Sequence, residues 1–178
     1  MNLQLFAESY SASAVKGSRL FISETLPIKV SDEVLGVRTT SDKGGSQNKV
    51  ESTTIKDVAD KEVLGTVGIS DNTYTFVWDE EGTIPTKQLS YVNKTVWVYE
   101  EMVDTSGDPT KIGEGIVAQM EFGAIVPAGQ EVNNLRTFTQ SATLISDEFY
   151  YAKPTGEAGM QTFTYTGLSS GTVATLEE

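Results

Sequence analysis

The chain reads as a mainly β protein: a two-sheet, sandwich- or barrel-like domain with one short α-helix, a long polar loop and extended N- and C-terminal arms. Three observations predict this. Apolar and polar residues alternate at period two in several runs. Only one segment carries helix signals. Finally, the 17 residues Arg38 to Thr54 hold a single apolar side chain, Val50, between two β-patterned stretches. The expected organisation is an N-terminal arm at 1–15, a β domain at 16–146 and a C-terminal extension at 147–178.

Leu20-Phe21-Ile22 opens the domain. Leu26, Ile28 and Val30 then alternate with Pro27 and Lys29, which predicts a strand, with Pro27 marking an edge. The segment 38–54 follows as a loop without regular structure. Connections beyond about 12–15 residues are uncommon in compact domains and are usually functional or disordered. Gly44-Gly45 adds backbone freedom. Beyond it, Val63, Val67 and Ile69 share one strand face, and Asp71-Asn72 marks a turn. Tyr74, Phe76 and Trp78 then alternate with Thr73, Thr75 and Val77, a strand whose aromatic face belongs in the core.

Residues 85–93 are the helix candidate. Pro85 suits a first turn, upstream acids complement the positive helix end, and Lys94 suits the other end. Leu89 and Val92 are expected to face inward, with Gln88 and Tyr91 nearer the rim. TVWVYEEMV (95–103) is apolar on both faces at its start, which predicts a central strand. Residues 115–126 place Ile116, Ala118, Met120, Phe122, Ala124 and Val126 on one face. Residues 135–145 alternate again, with Phe138, Ala142 and Leu144 opposite a row of Thr and Ser. From Asp147 the pattern weakens. Phe163 and Tyr165 alternate in a short strand, QTFTYT, inside what reads as an extended arm.

The residue inventory bounds the chemistry. Cysteine and histidine are both absent, so no thiol nucleophile, Cys-ligated zinc, His-containing triad or zincin site can be built. No phosphate-loop or dinucleotide fingerprint appears, and no acidic loop has calcium-binding spacing. The expectation is a non-enzyme without cofactor or metal. No apolar run reaches 18 residues, so no membrane-spanning helix is expected. The opening MNLQLFAESYS has no basic region and a short apolar stretch. It does not read as a secretory leader, and the expected place of synthesis is a cytoplasm. The net charge of −12 opposes ordinary binding to phosphate backbones. The same charge suits a surface past which DNA slides, or simply keeps the protein soluble.

The stretch VESTTIKDVADKEVLGTVGISDNTYTFVWD, with Glu51, Ser52, Thr53 and Thr54 following the loop, resembles the early part of tail tube proteins of long-tailed, siphovirus-type bacteriophages. TVWVYEEMVD and GEGIVAQMEFGAIVPAGQEVNNLRTFTQSATL resemble the second half of that fold. The similarity is one of layout and scattered residues over roughly 16–150. It implies a two-sheet fold assembling as stacked, hexameric rings in a virion tail put together in the host bacterial cytoplasm. It also implies a tube around a tape measure protein that carries DNA during ejection. Partners are then further copies, the tape measure protein and other tail proteins, while DNA passes without specific binding.

Under that reading the assembly contacts fall on Arg38, Asp42, Lys43, Gly44, Gly45, Lys49 and Glu51 of the loop. The apolar Leu3, Leu5 and Phe6, and Phe163 and Tyr165 of the C-terminal extension, complete the set. Arg38, Lys43 and Lys49 suit an acidic patch on the next ring, or simply solvate the loop. Two other classes stay open: a head–tail connector or tail terminator, and a decoration or receptor-binding β-sandwich with Tyr74, Trp78, Trp97 and Tyr99 as an aromatic platform.

Overall fold

Apolar residues on both faces of 95–103 dictate the centre of the architecture. In the computed structural model, which describes residues 19–43, 45–52, 62–69, 71–103, 110–129, 134–157 and 160–176, this stretch is β7 (Thr95–Val103). It lies between β1 (Leu20–Ser23) and β8 (Glu114–Pro127), antiparallel to both. The protein is mainly β with one short helix among the described residues.

Ten strands form one forked sheet. One leg runs β12-β11-β10-β8-β7-β1-β2, where β2 is Glu33–Val34, β10 Tyr150–Thr155, β11 Thr162–Gly167 and β12 Val173–Ala174. The other runs β3-β6-β9-β8, where β3 is Val37–Thr40, β6 Asn72–Val77 and β9 Thr137–Leu144. The fork is β8. Its first part pairs with β10 (Val117↔Tyr150) and its last part with β9 (Met120↔Leu144). The register shifts between Phe122 and Ile125, a bulge that re-aims the strand at the point where it changes leg.

Because of that bulge the predicted single face of β8 breaks. Ala118, Met120 and Phe122 are buried, whereas Ala124 and Val126 are exposed and Ile125 packs inward instead. The two legs pack over one core: Leu20, Val98 and Met120 from the first meet Tyr74, Phe76 and Phe138 from the second. The opposite face of the first leg carries a second core with Phe21, Trp97, Tyr99 and Tyr165, covered by Leu26, Ile28 and Ile112.

Several expectations are corrected. Residues 38–54 are not a structureless loop. Thr40 closes β3, and β4 (Gly45–Glu51) pairs with β5 (Glu62–Ile69) as a separate two-stranded sheet. Arg38, Asp42, Lys49 and Glu51 are exposed there, so their polarity goes with solvent contact rather than with lack of pairing. Residues 147–178 are not an extended arm, since β10, β11 and β12 continue the main sheet. Leu26, Ile28 and Val30 form no strand. The chain instead runs irregularly into a 3-10 turn at Val30–Asp32 while Leu26 and Ile28 stay buried.

The helix α1 spans Thr83–Leu89, earlier and shorter than 85–93. The Asp79 carboxylate accepts from Thr83 N and Ile84 N (2.9 and 3.0 Å), which fixes its start two residues before Pro85. Its phase also differs: Gln88 and Pro85 are buried, and Leu89 is exposed. Gln88 takes the inward position beside Gln140, whose Nε2 donates to Gly123 O (2.9 Å).

Candidate assembly surfaces

Sheet register sorts the second leg into two ends. Val37 pairs with Phe76, Val77 with Thr137, and Pro127 with Phe138, so these residues mark one end. Thr40 pairs with Tyr74, Asn72 with Ala142, and Met120 with Leu144, which marks the other.

The first end is open and exposes several apolar side chains among polar ones. Leu35 stands 70% exposed in the turn before β3, Trp78 39% just past β6, Val126 59% near the end of β8, and Leu135 65% before β9. Trp78 N donates to Arg136 O (2.8 Å) and Val77 N to Gly36 O (2.8 Å), which draws the ends of β3, β6 and β9 together. Gly36 makes the sharp turn with φ +75°, and a Cβ there would meet Ile84 Cδ1 at 2.5 Å. Trp78 is edge-on to Phe138 (5.8 Å between centroids), so its ring bridges core and rim. A cleft of about 410 Å³ indents the rim, lined by Trp78 and Leu135 together with the polar Asp79, Glu80, Asn134 and Arg136. Exposed apolar clusters of this kind mark interaction sites.

The second end carries the root of the β4–β5 hairpin. Ser41 N donates to Thr73 O (2.9 Å) and Thr143 Oγ1 to Asp71 Oδ1 (3.2 Å), fastening both hairpin stems to the sheet. Between them Lys43 turns inward. Its Nζ lies 2.8 Å from Glu100 Oε1 and 4.4 Å from the Tyr74 ring centre, and Thr40 Oγ1 donates to Glu100 Oε2 (3.3 Å). Burial first, then the Glu100 carboxylate, pushes the Tyr74 hydroxyl well above its ordinary range. Across β7, Glu101 accepts from Arg19 Nε (2.6 Å) and Nη2 (2.8 Å), and Arg19 Nη2 also donates to Lys111 O. Each buried acid of β7 therefore clamps the base of a segment: Glu100 the hairpin, Glu101 the entry of the chain into β1.

The structure divides the sequence-predicted assembly residues. Arg38 is exposed on β3, Asp42 is exposed at the hairpin root, Gly45 opens β4, and Lys49 and Glu51 are exposed on β4. Lys43 is corrected: its charge is spent on Glu100 within the chain. Phe163 and Tyr165 are corrected as well. Tyr165 is buried in the second core, and Phe163 packs on Tyr99 (5.5 Å) within the same chain. Gly44, Leu3, Leu5 and Phe6 lie outside the described residues. The aromatic platform does not form, because Tyr74, Trp97 and Tyr99 are buried and only Trp78 reaches the surface.

Sequence reasoning missed the rim. Its signals are an apolar Leu35 placed directly before a turn glycine and the bulge that turns Val126 outward. Period counting registers neither. Among the described residues no group of acidic side chains is arranged to hold a metal ion, and no helix is long and apolar enough to cross a membrane.

No protein-family profile matches the chain, and no curated protein matches it. A solved structure of a type six secretion system protein is similar in outline, with a TM-score of 0.45 and 11% identity over 89% of this chain and 100% of that one.

Proposed function

We propose that the chain is a self-assembling structural subunit of a phage tail tube. Copies close into rings, rings stack head to tail, and the stack forms a conduit through which DNA passes around a tape measure protein. The observation that carries this reading is the asymmetry of the second leg: a hairpin rooted at one end and, at the other, an open rim that exposes Leu35, Trp78, Val126 and Leu135. Two different surfaces at opposite ends of one molecule favour heterologous contact, which propagates along an axis rather than closing as a dimer.

Open sheet margins give the lateral contacts. Among the described residues β2, β3 and β12 each pair on one side only. Closing a ring removes such edges, which otherwise invite uncontrolled aggregation. The net charge of −12 keeps a lumen from gripping phosphate. The similarity of residues 16–150 to tail tube proteins supports the same reading.

Electron microscopy with sedimentation velocity tests it. The purified protein at high concentration should give rings or tubes. Leu135→Asp should stop stacking while the circular dichroism spectrum stays that of the parent. A chain that remains monomeric at every concentration and salt condition overturns the proposal.

A further inference from the structure

Among the described residues the β4–β5 hairpin is a sheet of its own, outside the forked one. A lone two-stranded ribbon has little stability of its own, so its direction is set where it joins the domain. Two fastenings there lie on the second leg. Ser41 N donates to Thr73 O (2.9 Å) and Thr73 N to Ser41 Oγ (3.0 Å), at the start of β6. On the other stem, Thr143 Oγ1 of β9 donates to Asp71 Oδ1 (3.2 Å). Two points on one leg define an axis, and a ribbon held only there can still swing about it.

Lys43 supplies a third point, off that axis. Its Nζ lies 2.8 Å from Glu100 Oε1, on β7 of the first leg. The same ammonium donates to Ser41 O (2.9 Å), which ties the root turn to the pair. The Tyr74 ring (4.4 Å from Nζ) and Thr40 Oγ1, which donates to Glu100 Oε2 (3.3 Å), seat both charges on groups of the domain.

We propose that Lys43 and Glu100 are positioning residues whose ion pair locks the hairpin at one angle to the domain. Burying two charges carries a desolvation penalty that apolar residues of similar volume avoid, so the worth of the pair lies in unique geometry rather than in stability. The consequence for assembly rests on the tail tube reading. A hairpin already aimed at the next copy docks without a search. A freed hairpin that is aimed correctly a tenth of the time would weaken stacking about tenfold. The lock itself is measured on monomer, so its failure is separate from a failure to form tubes.

The chain has no cysteine, so spin labels go only where they are placed. Glu51→Cys on β4 and Lys153→Cys on β10, both exposed, carry nitroxides, and pulsed electron paramagnetic resonance gives the distribution of distances between them. The parent should give one narrow distribution. Lys43→Met with Glu100→Leu, which removes both charges together, should about double its width while circular dichroism stays that of the parent. Lys43→Met with Glu100→Gln keeps similar side-chain volumes and an acceptor for Thr40. It should broaden the distribution likewise, and it serves where leucine disturbs folding. Lys94→Met, which breaks the exposed pair with Glu24 (2.7 Å), should leave the distribution narrow. A distribution as narrow without the buried pair as with it overturns the proposal. So does a parent distribution already as broad as that of the paired variants, or equal broadening by Lys94→Met.

Discussion

Lys43 and Glu100 form a buried ion pair at the root of the hairpin, 2.8 Å apart, with side chains 7% and 8% exposed. Lys43 lies in the link between β3 and β4, two residues before β4 begins, and Glu100 stands on β7. Removing the cation strands a carboxylate in the core beside Tyr74. Lys43→Met should therefore cost about 3–5 kcal/mol in urea unfolding, the range for breaking a buried pair from one side. Replacing both partners, Lys43→Met with Glu100→Leu, should recover most of that loss, since the desolvation penalty goes with the pair. If the double variant is as unstable as the single one, the carboxylate is not the source of the cost.

How much of this was legible in the sequence follows from where packing overrides pattern. The strand through Tyr74 and Phe76 and the strand through Phe138 and Ala142 were legible, because each buries one face and keeps period two. β7 was legible for the opposite reason: both its faces are buried, between the two cores. Of the C-terminal strands the one through Phe163 and Tyr165 was legible by its alternation, whereas β10 was not, because it buries few side chains and carries Lys153 and Thr155 on an open face. Helix phase failed at Gln88, where a polar side chain takes the inward position that hydrophobicity assigns to Leu89. Lys43 failed similarly. Its partner lies 57 positions away on β7, and nothing local announces it.

Glu148 sets an acid limit on the C-terminal strands. Its carboxylate accepts from Ser169 N (2.6 Å), Ser170 N (3.1 Å) and Ser170 Oγ (2.7 Å), holding the turn between β11 and β12. Gly167 has no room for a side chain beside it, as a Cβ would stand 2.1 Å from Glu148 Oε1. Desolvation opposes the charge, but the hydrogen bonds from Ser170 and Ser169 outweigh it and hold the carboxyl below its ordinary range. A lowered folded value contributes stability above the unfolded pKa of about 4.3, which is lost as pH falls through the folded value. Glu148→Gln should be less stable than the parent at neutral pH, with the gap shrinking below about pH 4. Urea midpoints across that range check it, and a gap as wide at pH 3 as at pH 7 contradicts it.

Alkali should act in the opposite sense through the buried tyrosines. Burial, with Glu100 beside Tyr74 and Glu101 beside Tyr99, raises both hydroxyls well above the ordinary value. For a raised group the stabilisation is complete below the unfolded value of about 10 and drains away as pH climbs past it. Absorbance near 295 nm should show part of the phenol signal missing from the native titration and appearing only as the protein unfolds. Tyr74→Phe should flatten the loss of stability above about pH 10. Full ionisation of all seven tyrosines in native protein at the model-compound value would refute the burial on which both cores depend.

The two tryptophans report on the rim separately. Trp97 is 8% exposed in the second core, and Trp78 is 39% exposed between Phe138 and solvent. Acrylamide should quench monomer emission in two components, with Trp78→Phe removing the accessible one and Trp97→Phe leaving it. In the proposed stack the hairpin end of one copy would meet the rim of the next and bury the Trp78 indole. The accessible component should then disappear from assembled particles while the Trp97 component stays as it was. Assemblies in which Trp78 is quenched as readily as in monomer would mean that copies join through some other surface, and that the rim faces solvent or a different partner.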